Sequence, residues 1–341
     1  MTIKTLIVDD SATMRALLAR MLAAEPDIEV VGEADSALSA RAMIRALNPD
    51  VITLDIEMPG MSGLEFLEKI MRLRPTAVIV VSGLTHKGAQ TTMQALALGA
   101  VDCFAKPSDI GGYDNCILPD LIRQASKVTF AQRNETPAAT PFASRQSRPF
   151  IANGNIVAIG ASTGGVDALG KVLAGFPKNC PPTLIVQHIP GSFTQALAAQ
   201  LDGVTEAKVV EAETDTFLEP GHIYLAPGGE RHLMVRASEK PYCRLVSADP
   251  VGGHRPSVDV LFRSVATNMG ARAVGVLLTG MGADGAAGLL EMRQAGSANI
   301  AQNEQTSVVY GMPRAAVELN AADHILPVGR IAERIIDLCR A

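Results

Sequence analysis

Along the first 128 residues, short apolar runs alternate with segments of helical periodicity. The runs are Ile3 to Val8, Glu29 to Gly32, Val51 to Leu54, Ala77 to Val81 and Val101 to Ala105, and an amphipathic stretch follows each. Parallel strands need a crossover between them, and a sheet covered on both faces reads as unbroken apolar runs, so five repeats predict a parallel (βα)5 sheet with helices on both sides. From 129 to 150 the pattern dissolves. Pro137, Pro141 and Pro149 stand among Thr, Ala, Ser, Arg and Gln without apolar period, which predicts an inter-domain linker. Lys127, Arg133, Arg145 and Arg148 lie in or beside it; they are not clustered, and read as charges that keep it solvated or touch a domain surface.

A second domain is expected from 151 to 341. Its outer parts again read as βα units: the run ending at Ala161 with the helical pattern after Gly165, Thr183 to His188 with the segment Phe193 to Leu201, and Ala273 to Leu278 with a helix from Asp284 to Ala295. This predicts a doubly wound, mostly parallel sheet. The middle differs. Val209 to Ser247 holds short alternating runs broken by Glu219-Pro-Gly221 and Pro227-Gly-Gly229, which predicts antiparallel hairpins inserted in the parallel sheet.

Composition narrows the class. A length of 341 residues suits two domains, and 48% hydrophobic with 19% charged residues is a soluble, cytoplasmic α/β composition. The net charge of −5, with no long Lys/Arg block, argues against nucleic acid or an anionic membrane as the main partner. The apolar run Leu6 to Val8 is closed at once by Asp9 and Asp10 and cannot serve as a signal peptide, and no run approaches a membrane span. Cys103, Cys116, Cys180, Cys243 and Cys339 never form a CxxC pair, so a disulfide framework or a zinc site is not expected and the thiols read as reduced core residues.

Polar residues at the strand ends of the first domain carry its chemistry. Asp9 and Asp10 follow the first run, Asp55 the third, Ser82 the fourth and Lys106 the fifth. Ligands of open α/β sheets bind at the carboxyl edge, and three carboxylates with a hydroxyl and an ammonium suit a hard divalent cation plus a phosphoryl group. The paired acids would hold Mg2+, Asp55 would attack phosphorus, and Ser82 and Lys106 would bind the transferred oxygens. Helix caps and solvated loop ends are the bland alternative for any one of them.

In the second domain Gly160, Ser162 and Gly164 satisfy G-x-S-x-G, where a sharp strand-to-helix bend lifts a hydroxyl above the sheet edge. A glycine turn after a first strand also holds the pyrophosphate of dinucleotides, and serine there is often only a helix cap. A dinucleotide fold needs an acid at the end of the next strand. Here that strand ends in Gln187 and His188, an imidazole in place of the ribose carboxylate. A third run ends in Thr279-Gly-Met-Gly-Ala-Asp-Gly285, placing Asp284 just beyond another strand, so Ser162, His188 and Asp284 can meet in one crevice. His254, in a glycine-rich loop, rivals His188 but does not follow a buried strand; His86, His222 and His232 read as structural. Asp259 lies in a helix start after Pro256 and Ser257.

The stretches Val8-Asp-Asp-Ser11, Leu54-Asp-Ile-Glu-Met-Pro-Gly60 and Ala105-Lys-Pro107 resemble the signature of response-regulator receiver domains, whose fold is flavodoxin-like. The resemblance implies that Asp55 is the phospho-acceptor, that Asp10, Asp55 and the Glu57 carbonyl hold Mg2+ with Asp9 in support, and that Ser82 and Lys106 are the switch pair. Receivers usually carry an aromatic residue where this chain has Cys103; Phe104 is adjacent but faces the other side of the sheet.

The second domain resembles the catalytic domain of chemotaxis protein-glutamate methylesterases, on Gly160-Ala-Ser-Thr-Gly-Gly165, Gln187-His-Ile-Pro190, Tyr224-Leu-Ala-Pro-Gly228, Arg255-Pro-Ser-Val-Asp-Val-Leu-Phe262, Leu278-Thr-Gly-Met-Gly-Ala-Asp-Gly285 and Val309-Tyr-Gly-Met-Pro-Arg314. That family implies Ser162 as nucleophile, His188 as base, Asp284 as its partner and the Met281 N–H as an oxyanion donor. It also implies glutamate γ-methyl esters and glutamines of chemoreceptors as substrates, a chemotaxis histidine kinase as phosphodonor, and no cofactor for the hydrolysis. A receiver joined to a hydrolase implies that the unphosphorylated receiver covers the crevice and that phosphate on Asp55 favours an open form. The competing classes are a nucleotide-dependent enzyme and a receiver-linked module that binds a partner without catalysis.

Overall fold

A computed structural model describes residues 2–83, 85–106, 117–128 and 150–341. The expected linker, Phe150 apart, lies outside these residues, as do Pro107 and Cys116. The chain divides into two compact units, 1–128 and 129–341.

The first unit runs β1 (Ile3–Val8), α1 (Ala12–Leu22), β2 (Ile28–Ala34), α2 (Ala37–Leu47), β3 (Val51–Asp55), α3 (Gly63–Leu73), β4 (Ala77–Ser82), α4 (His86–Ala97), β5 (Asp102–Ala105) and α5 (Leu118–Ala125). Its sheet has the order β2-β1-β3-β4-β5 with every pair parallel, the flavodoxin-like arrangement. All residues of β3 and β4 are buried, which is why these strands read as continuous apolar runs. Ser11, Ser36, Ser62 and Thr85 each accept a backbone N–H at a helix start, so the chain enters each of α1 to α4 in a defined direction. Behind Asp55 the approach of α3 is so close that a Cβ on Gly63 would fall 2.1 Å from the Asp55 carbonyl oxygen, and only glycine fits.

The second unit runs β6 (Ile156–Ala161), α6 (Gly165–Leu173), β7 (Thr183–Gln187), α7 (Thr194–Asp202), β8 (Lys208–Glu211), β9 (Thr216–Phe217), β10 (His222–Leu225), β11 (Arg231–Arg236), β12 (Tyr242–Ser247), α8 (Val258–Met269), β13 (Ala273–Leu277), α9 (Ala286–Gln294), β14 (Ala298–Gln302), α10 (Met312–Glu318), β15 (His324–Leu326) and α11 (Val328–Leu338). Seven parallel strands form the main sheet in the order β15-β14-β13-β6-β7-β10-β8. The stretch expected to hold inserted hairpins is more mixed than its pattern suggested. Strands β10 and β8 are parallel members of the main sheet, with β8 at its edge, and the antiparallel part, β11-β12-β9, is a separate three-stranded sheet. The burial explains the difference: β12 alternates, with Cys243 and Leu245 buried around exposed Arg244, whereas β10 buries Ile223, Tyr224 and Leu225 in succession.

Helix α8 ties the two sheets together. Val258, Leu261, Phe262 and Val265 share one core with Leu184 and Val186 of the main sheet and with Leu233, Val235 and Leu245 of the small one. Where this helix starts is therefore fixed by packing on both sides. Among the described residues no helix is long and apolar enough to cross a membrane.

Candidate active site

Strand β6 lies between β7 and β13, reached by crossovers in opposite directions, so its carboxyl end borders a topological switch point, the usual crevice of such sheets. Ala161 pairs with Gln187 and Gly160 with Leu277, which puts Ser162 and His188 first beyond neighbouring strands. The backbone holds that register past the strand ends: the His188 N–H donates to the Ala161 carbonyl at 3.1 Å and the Ser162 N–H to the Thr279 carbonyl at 3.0 Å. The Ser162 carbonyl is gripped twice, by the Gly165 N–H at 2.7 Å and the Gln187 amide at 2.8 Å. The turn beyond β13 presses against the serine. A Cβ on Gly280 would meet the Ser162 Cβ at 2.7 Å and the Met312 sulfur at 2.2 Å, so this close approach requires glycine. Met281 follows in the same turn, partly exposed.

Asp284 and His188 are brought together, with Asp284 Oδ2 2.9 Å from His188 Nε2. The same carboxylate accepts the Ser257 hydroxyl at 2.8 Å and the Val258 and Asp259 N–H groups at 2.7 and 3.0 Å. It thus caps the N-terminus of α8, where unpaired N–H groups and the helix dipole favour an anion. Burial opposes ionisation of Asp284, yet His188 and the helix N–H groups outweigh it and hold the pKa at about 2. An anion there orients the imidazole: the Nε2 proton points at the carboxylate and Nδ1 keeps its lone pair. Nδ1 is buried and has no hydrogen-bond partner among the described residues.

The rival residues have other partners. Asp259 accepts the Gly288 N–H at 2.7 Å, at the start of α9, and burial raises its pKa. His232 is buried, takes the Ser257 N–H on Nδ1 at 3.1 Å and faces the Asp249 carbonyl with Nε2 at 3.0 Å, so both partners fix one neutral tautomer. His254, whose glycine-rich loop could border the crevice, does so, its ring stacked on that of His188. Neither this stack nor the capping of α8 by Asp284 is visible in the spacing; the one available signal is Ser257 at the helix start. The nucleotide alternative loses its cradle. The Val308 side chain covers Gly164, where a Cβ would lie 2.4 Å from it, and the Gln187 amide covers Gly165, so side chains occupy the turn a pyrophosphate needs.

At the carboxyl edge of the first unit, Asp9, Asp10 and Asp55 offer carboxylate oxygens all within 4.8 Å of one another. Asp9 and Asp55 are buried and Asp10 is exposed. Lys106 Nζ stands 2.9 Å from Asp9 Oδ2 and 2.8 Å from Asp55 Oδ2. Burial lowers the Lys106 pKa but its two carboxylates more than compensate, and the net direction is up. For Asp55 burial leads, reinforced by the Asp9 charge and opposed by Lys106, and the pKa is raised. The Glu57 N–H donates to Asp55 Oδ1 at 3.1 Å, and Ser11 N–H to Asp9 Oδ1 at 2.9 Å. Asp9 Oδ2 has the ammonium as charge partner but no aligned hydrogen bond. Such an oxygen, in an all-oxygen donor set, fits a hard divalent cation. Ser82 lies one residue beyond the Asp55–Val81 pair, and its hydroxyl donates to the Gly88 carbonyl at 3.3 Å. Cys103 and Phe104 are both buried, and burial pushes the Cys103 thiol well up.

Fold and site together define a two-unit α/β protein in which a receiver-type acidic edge accompanies a hydrolase-type Ser, His, Asp edge. Residues 157–335 match the CheB methylesterase family and residues 5–113 the response regulator receiver domain. The chain belongs to the CheB methylesterase family. It is 52% identical to a protein-glutamate methylesterase/protein-glutamine glutaminase of Caulobacter vibrioides, over 99% of this chain and 98% of that one. It is 53% identical to the protein of the same name from Agrobacterium fabrum, over 99% and 97%. The crystal structure of the Thermotoga maritima CheB methylesterase catalytic domain superposes with a TM-score of 0.53 at 39% identity, covering 54% of this chain and 98% of that domain.

Proposed function

We propose that this protein is a phosphorylation-regulated protein-glutamate methylesterase and protein-glutamine glutaminase of bacterial chemotaxis. Its substrates are the γ-methyl glutamates and glutamines of chemoreceptors, and Ser162, His188 and Asp284 form its catalytic triad. The observation that carries the reading is the imidazole of His188, held by Asp284 at 2.9 Å with its other nitrogen unpartnered among the described residues, one strand away from Ser162. A serine hydroxyl is a weak nucleophile at its free pKa. His188 Nδ1 takes its proton as Oγ attacks the ester carbonyl, and Asp284 steadies the imidazolium. The Met281 N–H, in the turn that presses on Ser162, is assigned to the oxyanion. His188 then returns the proton to the leaving group, methanol or ammonia, and activates a water that releases the glutamate carboxylate.

In the receiver unit Asp9, Asp10, Asp55 and the Glu57 carbonyl are assigned to Mg2+, which when bound neutralises charge on the phosphoryl oxygens. Asp55 accepts the phosphoryl group from the pathway's histidine kinase, with Lys106 and Ser82 receiving its oxygens, and phosphorylation raises the esterase rate. Methanol release from methylated receptor, compared between wild type and Ser162→Ala, tests the reading. The variant should lose roughly 10^6-fold in kcat, and equal release by both would overturn it. Asp55→Ala should abolish stimulation by a small phosphodonor; stimulation that survives would disconnect the receiver from the hydrolase.

A further inference from the structure

His254 has no part in the chemistry set out above, yet its imidazole lies face to face with that of His188. The ring centroids are 3.9 Å apart and the planes within 2° of parallel. The loop that delivers it is built: Gly252 and Gly253 adopt left-handed φ values of 59° and 84°, and Val251 and His254 exchange backbone hydrogen bonds of 3.0 Å. Arg255, next along, anchors the same loop by donating to the Gly229 and Ala248 carbonyls at 2.9 and 3.0 Å. The ring is therefore set by its backbone as well as by packing.

A base of this kind needs two constraints. The hydrogen bond from Nε2 to Asp284 fixes one end of the His188 ring but leaves the ring free to swing about that axis, since the terminal torsion of histidine is broad. A flat neighbour at stacking distance removes the swing. It also meets the ring in its charged state, because a cation above a π face is attracted to it, and His188 becomes a cation when it takes the serine proton. A second charged imidazole would repel it instead. Burial lowers the His254 pKa and the neighbouring His188 lowers it further, with Asp284 opposing, a net shift that favours the neutral form of the stacked ring.

We propose that His254 is a positioning residue for ester hydrolysis, its ring fixing the plane of the His188 imidazole and presenting a π face to the imidazolium formed when Ser162 is deprotonated. This rests on the triad reading above, and His254 itself exchanges no proton with substrate.

The test is steady-state methanol release by the full chain from membranes carrying methylated receptor, for wild type, His254→Ala, His254→Phe and Ser162→Ala. His254→Ala should lower kcat by about 100-fold, the scale of a base displaced by about 1 Å, while KM stays within about twofold, since ground-state binding is untouched. His254→Phe keeps a ring face and cannot carry a proton, and should recover activity to within about tenfold of wild type. Wild-type kcat in His254→Ala would overturn the proposal. So would a Phe variant no faster than the Ala variant although its thermal melt matches wild type, because a proton-carrying role would then be needed. Activity surviving in Ser162→Ala would instead remove the triad reading, whatever the two His254 variants show.

Discussion

Asp55 and Asp284 occupy equivalent places, each buried at the carboxyl edge of a parallel sheet near a switch point, yet their surroundings push them in opposite directions. Asp55 shares its pocket with a second buried acid, and burial raises its pKa despite Lys106. Asp284 faces an imidazole and the start of a helix, and is held at about 2. Fold position alone therefore does not decide what a carboxylate does. An acid crowded by another acid and approached by an ammonium is poised to receive a cation and a phosphoryl group, whereas an acid satisfied by four donors is a fixed anion that orients a base.

The sharpest way to break this contrast is Asp284→Asn. The amide oxygen can keep part of the α8 cap while its NH2 faces a donor, so the fold should persist with a lower melting temperature, but the imidazole loses its anion and kcat for methanol release should fall about 10^4-fold. A loss below tenfold in the folded variant would mean that Asp284 does not set the tautomer of His188.

A smaller effect separates the two acids by pH. Asp284 has a folded pKa below its unfolded value, so the unfolded chain binds the extra proton. Its contribution, about 2 kcal/mol, is present above the unfolded pKa near 4 and is lost as pH falls through 2. Asp55 has the opposite sign: its folded pKa is raised, so the receiver unit loses stability as pH rises through that value. Denaturant unfolding between pH 2 and 6, with Asp284→Asn and Asp55→Asn each compared with wild type, should show stability differences that change in opposite senses. Parallel changes would refute the contrast.

The mildest expected effect belongs to Asp10, the exposed member of its cluster. Asp10→Asn should cost less than about 0.5 kcal/mol in stability while raising the Mg2+ needed for phosphodonor labelling by about tenfold or more. A magnesium titration unchanged from wild type would remove Asp10 from the cation site.

How much of this is legible in the residues depends on how each strand is buried. Strands β3, β4, β6, β7 and β13 are buried throughout and mostly apolar, so Asp55, Ser82, Ser162 and His188, which end or directly follow them, could be placed at a sheet edge from the sequence. Strand β14 is not legible in the sequence because two of its buried residues are amides. Asn299 donates to the Leu289 and Ala321 carbonyls, while the Gln302 side chain accepts the Thr279 N–H and donates to Thr306, satisfying groups that look like loop residues in a linear reading. Asp284 was found as a residue beyond a strand, but its bond to the start of α8 joins positions 26 residues apart, and no local period encodes that. The His188–His254 stack is hidden for the same reason: it depends on how a glycine loop folds back, not on any spacing along one element.

One carboxylate serving both an imidazole and the first turn of α8 makes the two sheets and the chemistry hostage to the same side chain. A descendant that abandoned hydrolysis could discard the hydroxyl of Ser162 at little structural cost, whereas discarding Asp284 would strand two buried donors and a part-buried one beneath the helix that joins both halves of the core. Decayed relatives of this protein should therefore keep the acid long after the nucleophile has gone, and an aspartate at this place is a marker of ancestry more than of surviving activity.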